Sequence, residues 1–146
     1  MPESTEAEIE IAATPERIMA VIADIPDYPQ WCPGVRSARV DSSGANGLPQ
    51  DVELVFDSGP IKDSHRYRYD SWTDSEVRWH LTAGQTVSEL IGSYRCVAAD
   101  TGSTTVHYRL TMKLTVPIIG ALRRRAEKVI VRTALQGLKD RVEELA

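Results

Sequence analysis

Thr105-Val106-His107-Tyr108-Arg109-Leu110-Thr111-Met112-Lys113-Leu114 runs with a two-residue period, and at Pro117 that period gives way to a helical one. In the first stretch Val106, Tyr108, Leu110 and Met112 share one face while His107, Arg109 and Lys113 share the other, the alternation of a strand with one wet side. Beyond the proline, which breaks the strand, Ile119, Leu122, Ala126, Val129, Ile130, Thr133 and Gly137 recur at helical spacing. The apolar stripe drifts on through Ala134, Leu138, Val142 and Leu145, with Arg124, Arg125, Lys128, Arg132 and Lys139 on the opposite side. The spacing predicts a helix from about Ile118 to Leu145, on the order of 40 Å long, enough to cross a small domain. One amphipathic helix laid across one half-wet sheet is the architecture this implies.

Upstream, the same two-residue period recurs. His65-Arg66-Tyr67-Arg68-Tyr69-Asp70 and Glu76-Val77-Arg78-Trp79-His80-Leu81 alternate apolar with charged residues. Val35 to Asp41, Asp51 to Phe56 and Leu90 to Cys96 add three more strands, closed by Ser42-Ser43-Gly44-Ala45-Asn46-Gly47 and Asp57-Ser58-Gly59-Pro60. Glu6 to Ala12 is a first strand. Short connections between neighbours argue for antiparallel pairing of all seven. Between the first strand and Val35, Thr14 can cap a helix that begins at Pro15 and points Ile18, Val21 and Ile22 inward. The prolines of Ile25-Pro26-Asp27-Tyr28-Pro29-Gln30-Trp31-Cys32-Pro33 then allow only a short helix or turn. The fold class is α+β, a single domain over residues 1–146, with a short helical pair after strand 1.

Composition narrows the function. The chain has 146 residues, 42% of them hydrophobic, and 17 Lys+Arg against 21 Asp+Glu leave a net charge of -4. That balance argues against DNA as a partner. Two cysteines, Cys32 and Cys96, lie far apart with no CxxC nearby, so neither a metal nor a disulfide is expected, and no cofactor motif is present. The polar, acidic start (Met1-Pro2-Glu3-Ser4-Thr5-Glu6) is unlike a signal peptide, and no apolar run is long enough for a membrane span. A cytoplasmic location is expected.

If each strand turns its apolar set to the helix, the inner wall carries Phe56, His65, Tyr67, Tyr69, Trp79, Tyr94 and Tyr108 among aliphatic residues. That wall uses Tyr and Trp where a plain core would use Phe, and buried hydroxyls need partners. Opposite stand small helix residues, Ala126, Thr133, Ala134 and Gly137. Two packings satisfy this pattern. Large rings close directly onto the small residues, or the small residues leave a cavity for an apolar ligand with a few polar groups. His65 is the candidate for proton transfer, or else a histidine bonded to Asp63 or backbone. Arg123 borders the apolar stripe near Gly59-Pro60 and Ala83-Gly84-Gln85, where it would guard a pocket mouth or simply snorkel. His80 and His107 fall on the wet face. Cys96 is read as an inert core residue and Cys32 as an unactivated thiol.

The order of these segments resembles a known family. A strand, a helix opening Thr14-Pro15-Glu16-Arg17, then Asp27-Tyr28-Pro29-Gln30-Trp31 is similar to the opening of the START-like superfamily, in its polyketide cyclase/dehydrase and coenzyme-Q-binding-protein-like branches. Trp79, Gly84, Leu90-Ile91-Gly92-Ser93-Tyr94, Val106-His107-Tyr108-Arg109-Leu110 and the ending Pro117 to Lys128 look like its later strands and long helix. The resemblance implies a helix-grip fold, a curved seven-stranded sheet wrapped around the C-terminal helix with a hydrophobic tunnel between. It implies a small hydrophobic ligand (lipid, quinone or polyketide-like) held by the aromatic wall together with Arg123, Ala126, Ile130 and Thr133. An alternative is a polyketide cyclase or dehydratase using His65 and the cavity tyrosines. Another is a ribosome- or membrane-associating module that uses the basic helix face.

Overall fold

The computed structural model describes residues 4–57, 62–116 and 119–145. Gly59-Pro60 and Pro117-Ile118, read above as a turn and a strand break, lie outside the described residues, as do Met1 to Glu3. The elements follow the order β1 (Thr5–Ile11), α1 (Pro15–Ala23), a 3₁₀ segment (Ile25–Gln30), β2 (Val35–Ser43), β3 (Pro49–Asp57), β4 (Lys62–Trp72), β5 (Glu76–Ala83), β6 (Val87–Ala98), β7 (Thr104–Leu114) and α2 (Gly120–Glu144). Thr14 caps α1, its side chain accepting from the Arg17 amide, with Pro15 in the first turn.

All seven strands join one antiparallel sheet in the order β1-β7-β6-β5-β4-β3-β2. β1 and β2 are therefore its opposite edges, and α1 with the 3₁₀ segment carries the chain from one edge to the other. Register shifts interrupt the β2–β3, β4–β5 and β6–β7 ladders. Such irregularities increase local twist and bend a sheet, which is how this one curls. The concave face carries the predicted inner set: Val52, Leu54, Tyr67, Val77, Trp79, Tyr94, Val106 and Leu110 are all buried. Arg66, Arg68, Arg78 and Arg95 remain exposed on the other face.

α2 departs from the expected stripe in its first half. Ala134, Leu138 and Val142 are buried as expected, together with Glu127, Val131 and Leu135, while Ile119, Leu122, Ala126, Val129 and Ile130 are exposed. The helix does not lie centrally over the sheet. It packs along β1 and β7 and against α1, so the face set against them is rotated by about one residue from the stripe read in the sequence. Lys139 also leaves the basic face, because its Nζ donates to the Glu10 carbonyl and pairs with Glu143. Gly137 has a packing reason rather than a cavity one. A Cβ there would lie 2.2 Å from the Trp31 carbonyl oxygen, so the backbone after the 3₁₀ segment sits directly on the helix.

Candidate functional site: a hollow between sheet and helix

Between the concave sheet and α2 lies a cavity of about 400 Å³. Phe56, His65, Tyr67, Tyr69, Trp79, Tyr94, Tyr108, Ile130 and Thr133, all expected to contact a ligand, line it. Arg123 and Ala126 do not. Ala126 points to solvent, and Arg123 stands one turn before Glu127, at the head of the stripe that α2 turns toward β1. Among the described residues its Nε is buried without a hydrogen-bond partner. Val129 and Ala134 of α2 also line the cavity; Ala134 is one of the small residues expected opposite the wall, whereas Val129 is not among the expected contacts.

The floor is an aromatic ladder across four strands. The Trp79 ring centroid lies 6.0 Å from Tyr69, 5.3 Å from Tyr94 and 5.9 Å from Tyr108, and Tyr94 and Tyr108 are 4.6 Å apart. Gly92 makes this possible. It pairs with Trp79 across β5 and β6, and a Cβ there would fall 2.4 Å from the indole. The absence of a side chain lets the ring lie flat on the sheet. Burial above all pushes the Tyr94 and Tyr108 hydroxyls upward, so both stay protonated. Among the described residues neither hydroxyl has a hydrogen-bond partner in the protein. Tyr28, by contrast, donates to the Ile22 carbonyl at 2.5 Å.

One end of the cavity is polar and highly ordered. Asp63, His65 and Tyr67 occupy alternate positions of β4 and therefore share a face. His65 Nε2 lies 3.0 Å from Asp63 Oδ2, and Nδ1 lies 2.6 Å from the Tyr67 hydroxyl. The Phe56 ring covers the imidazole at 4.9 Å. Asp63 accepts from the amides of Ser64, Gln85 and Thr86 and from the Thr86 hydroxyl. Burial alone would raise its carboxyl. The bonds from the Thr86 side chain and backbone, the Gln85 amide and His65 outweigh it and hold the group well below the usual carboxylate range. Asp63 and Thr86 were not singled out as site residues. The alternation placed Asp63 beside His65, but the amides that bind it come from the β5–β6 turn, far away in sequence.

The remaining candidates take quieter positions. Burial pushes the Cys32 thiol up to about 12 and the Cys96 thiol up to about 11, so neither is an activated nucleophile. His80 pairs with Asp70 and His107 with Glu8 on the outer face. Among the described residues no group of three or more His, Cys, Asp or Glu side chains is gathered as a metal site, and no helix is long and apolar enough to cross a membrane.

A curved antiparallel sheet gripping one long helix over an internal hollow defines the helix-grip class of ligand-binding folds. The family model for polyketide cyclase/dehydrase and lipid transport matches residues 2–144, and the chain belongs to that family. No curated protein sequence matches it. Among solved structures, a START superfamily protein from Mycobacterium smegmatis superimposes with a TM-score of 0.91 at 19% identity, over 98% of this chain and 99% of that one. A protein from Thermus thermophilus gives 0.82 at 23% identity over 99% of both chains. The Zhui aromatase/cyclase from Streptomyces sp. R1128 gives 0.81 at 14% identity over 98% and 94%. At these identities the likeness is one of fold.

Proposed function

We propose that this protein binds a small hydrophobic molecule, of lipid, quinone or polyketide-like character, in the cavity between sheet and α2. The observation that carries this reading is the 400 Å³ hollow itself, walled by aromatic and aliphatic side chains with polar groups confined to a few places. A core built only for stability would fill such a space. Phe56, Tyr69, Trp79, Ile130 and Thr133 supply the apolar contact, while Tyr94 and Tyr108 offer hydroxyls that no described residue pairs.

A second reading is catalysis of cyclisation or dehydration on a poly-β-keto chain, favoured by the buried Asp63–His65 pair at the cavity wall. It fits less well. Both His65 ring nitrogens are engaged, so the imidazole offers no free base to a substrate. Binding is the stronger conclusion.

The test is native mass spectrometry of the purified protein together with thermal denaturation against a panel of fatty acids, quinones and polycyclic phenols. A ligand at about a hundred times its Kd adds about 2.7 kcal/mol. That corresponds to a rise in Tm of roughly 5–10 °C in a domain of this size. No added mass and no shift from any member of the panel would overturn the proposal.

A further inference from the structure

We infer that Tyr67 meets the cavity's occupant as a hydrogen-bond acceptor, so the ligand carries a hydroxyl or phenol where it reaches β4. This rests on the cavity being the binding site and adds the chemistry that one end of it selects.

The argument is one of hydrogen-bond direction. An ionised carboxylate can only accept. Asp63 accepts from three amides and the Thr86 hydroxyl, and His65 Nε2 lies 3.0 Å from its Oδ2, where a group bonded to a carboxylate has to be the donor. Nε2 therefore carries the hydrogen. In the uncharged imidazole the other nitrogen, Nδ1, is then a bare acceptor. Its neighbour at 2.6 Å is the Tyr67 oxygen, so the phenol must donate to it. The single proton of Tyr67 is thus committed to the protein, and only oxygen lone pairs remain for the cavity that Tyr67 lines. A ligand hydroxyl satisfies those lone pairs. A carbonyl or ether oxygen in the same place sets acceptor against acceptor.

Tyr94 and Tyr108 impose no such direction. Among the described residues their hydroxyls have no hydrogen-bond partner and can rotate to donate or accept. Among the described residues the fixed direction belongs to the Asp63–His65–Tyr67 end, where a buried carboxylate is placed behind the aromatic wall. Protonating His65 would reverse the relay, with Nδ1–H donating to Tyr67 and the phenol proton freed. The groups facing the imidazole are Asp63 and Tyr67 of β4 and Phe56 of β3, with Gly84 beside its ring edge.

Two measurements test the inference. In the unliganded protein, long-range ¹⁵N–¹H correlations of His65 are expected to place the hydrogen on Nε2 and leave Nδ1 bare. A hydrogen on Nδ1 overturns the direction whatever the cavity binds. In calorimetric titrations with 1-naphthol and 1-methoxynaphthalene, Tyr67→Phe is expected to weaken the phenol by about 3- to 10-fold. The ether should stay within about twofold, which also shows that the variant is folded. An equal effect on both probes, or none on the phenol, overturns the inference and leaves the binding cavity standing. If neither probe nor any member of the wider panel binds the wild-type protein, the cavity reading itself falls.

Discussion

Asp63 shows how one residue ties the site to the stability of the fold. Its carboxylate joins the start of β4 to the β5–β6 turn through Gln85 and Thr86. Hydrogen bonds to a charged group contribute about 1.5–3 kcal/mol each, so Asp63→Asn is expected to cost about 2–3 kcal/mol in urea unfolding. The pH dependence follows from the lowered carboxyl. The folded value lies below the unfolded one near 3.9, so this stabilisation is complete above roughly pH 5 and is lost as the pH falls toward the folded value. The Asn variant should show a flatter acid limb, and an unchanged one would remove Asp63 from this role. Gly137 offers a second test with opposing terms. Ala improves helix propensity by about 1 kcal/mol, but its Cβ would meet the Trp31 carbonyl at 2.2 Å. Overpacking against backbone costs about 1–3 kcal/mol or more, so Gly137→Ala is expected to be the less stable protein by urea unfolding. Neither role was legible beforehand. A glycine in a helix signals that something needs the space, but the backbone of a segment over 100 positions away leaves no local mark.

At the scale of elements, strands were easier to read than the helix. Each strand of β4 to β7 has one dry and one wet face, so a two-residue period carries the whole message, and the inner wall followed from it. α2 has two apolar faces with different purposes. Val131, Leu135, Leu138 and Val142 pack against the protein, while Val129, Ile130 and Thr133 border the hollow. A periodicity search merges the two into one broad stripe, and Glu127 misleads it further. That residue is fully buried, with Oε1 accepting from the Thr5 hydroxyl on β1 and Oε2 unpartnered among the described residues. The division is measurable. Leu138 is completely buried and Leu122 is 52% exposed. Leu138→Ala should cost about 2–5 kcal/mol, whereas Leu122→Ala should stay within about 0.5 kcal/mol in the same assay. Comparable losses at both positions would restore the stripe read from the sequence.

For the molecule as a whole, an unfilled cavity is a stability cost. Atoms around a void lack dispersion partners on one side, and natural interiors rarely leave such spaces open. The cost should therefore be recoverable by filling the space, at the expense of binding. Thr133 is the suitable position, because it lines the hollow from α2 and its hydroxyl is spent on the Val129 carbonyl one turn back. That back-bond does little for a helix, so replacing the hydroxyl with a larger apolar group removes little and fills part of the void. Thr133→Leu is expected to gain about 0.5–2 kcal/mol, with Tm rising by roughly 2–4 °C per kcal/mol in thermal denaturation. The same variant should lose most of the Tm shift that a polycyclic phenol produces in the wild-type protein. Binding and stability must move in opposite directions for the hollow to be the site. A variant that gains stability and keeps its full ligand shift would place the ligand elsewhere, and one that loses both would mean that residue 133 supports the wall rather than facing the space.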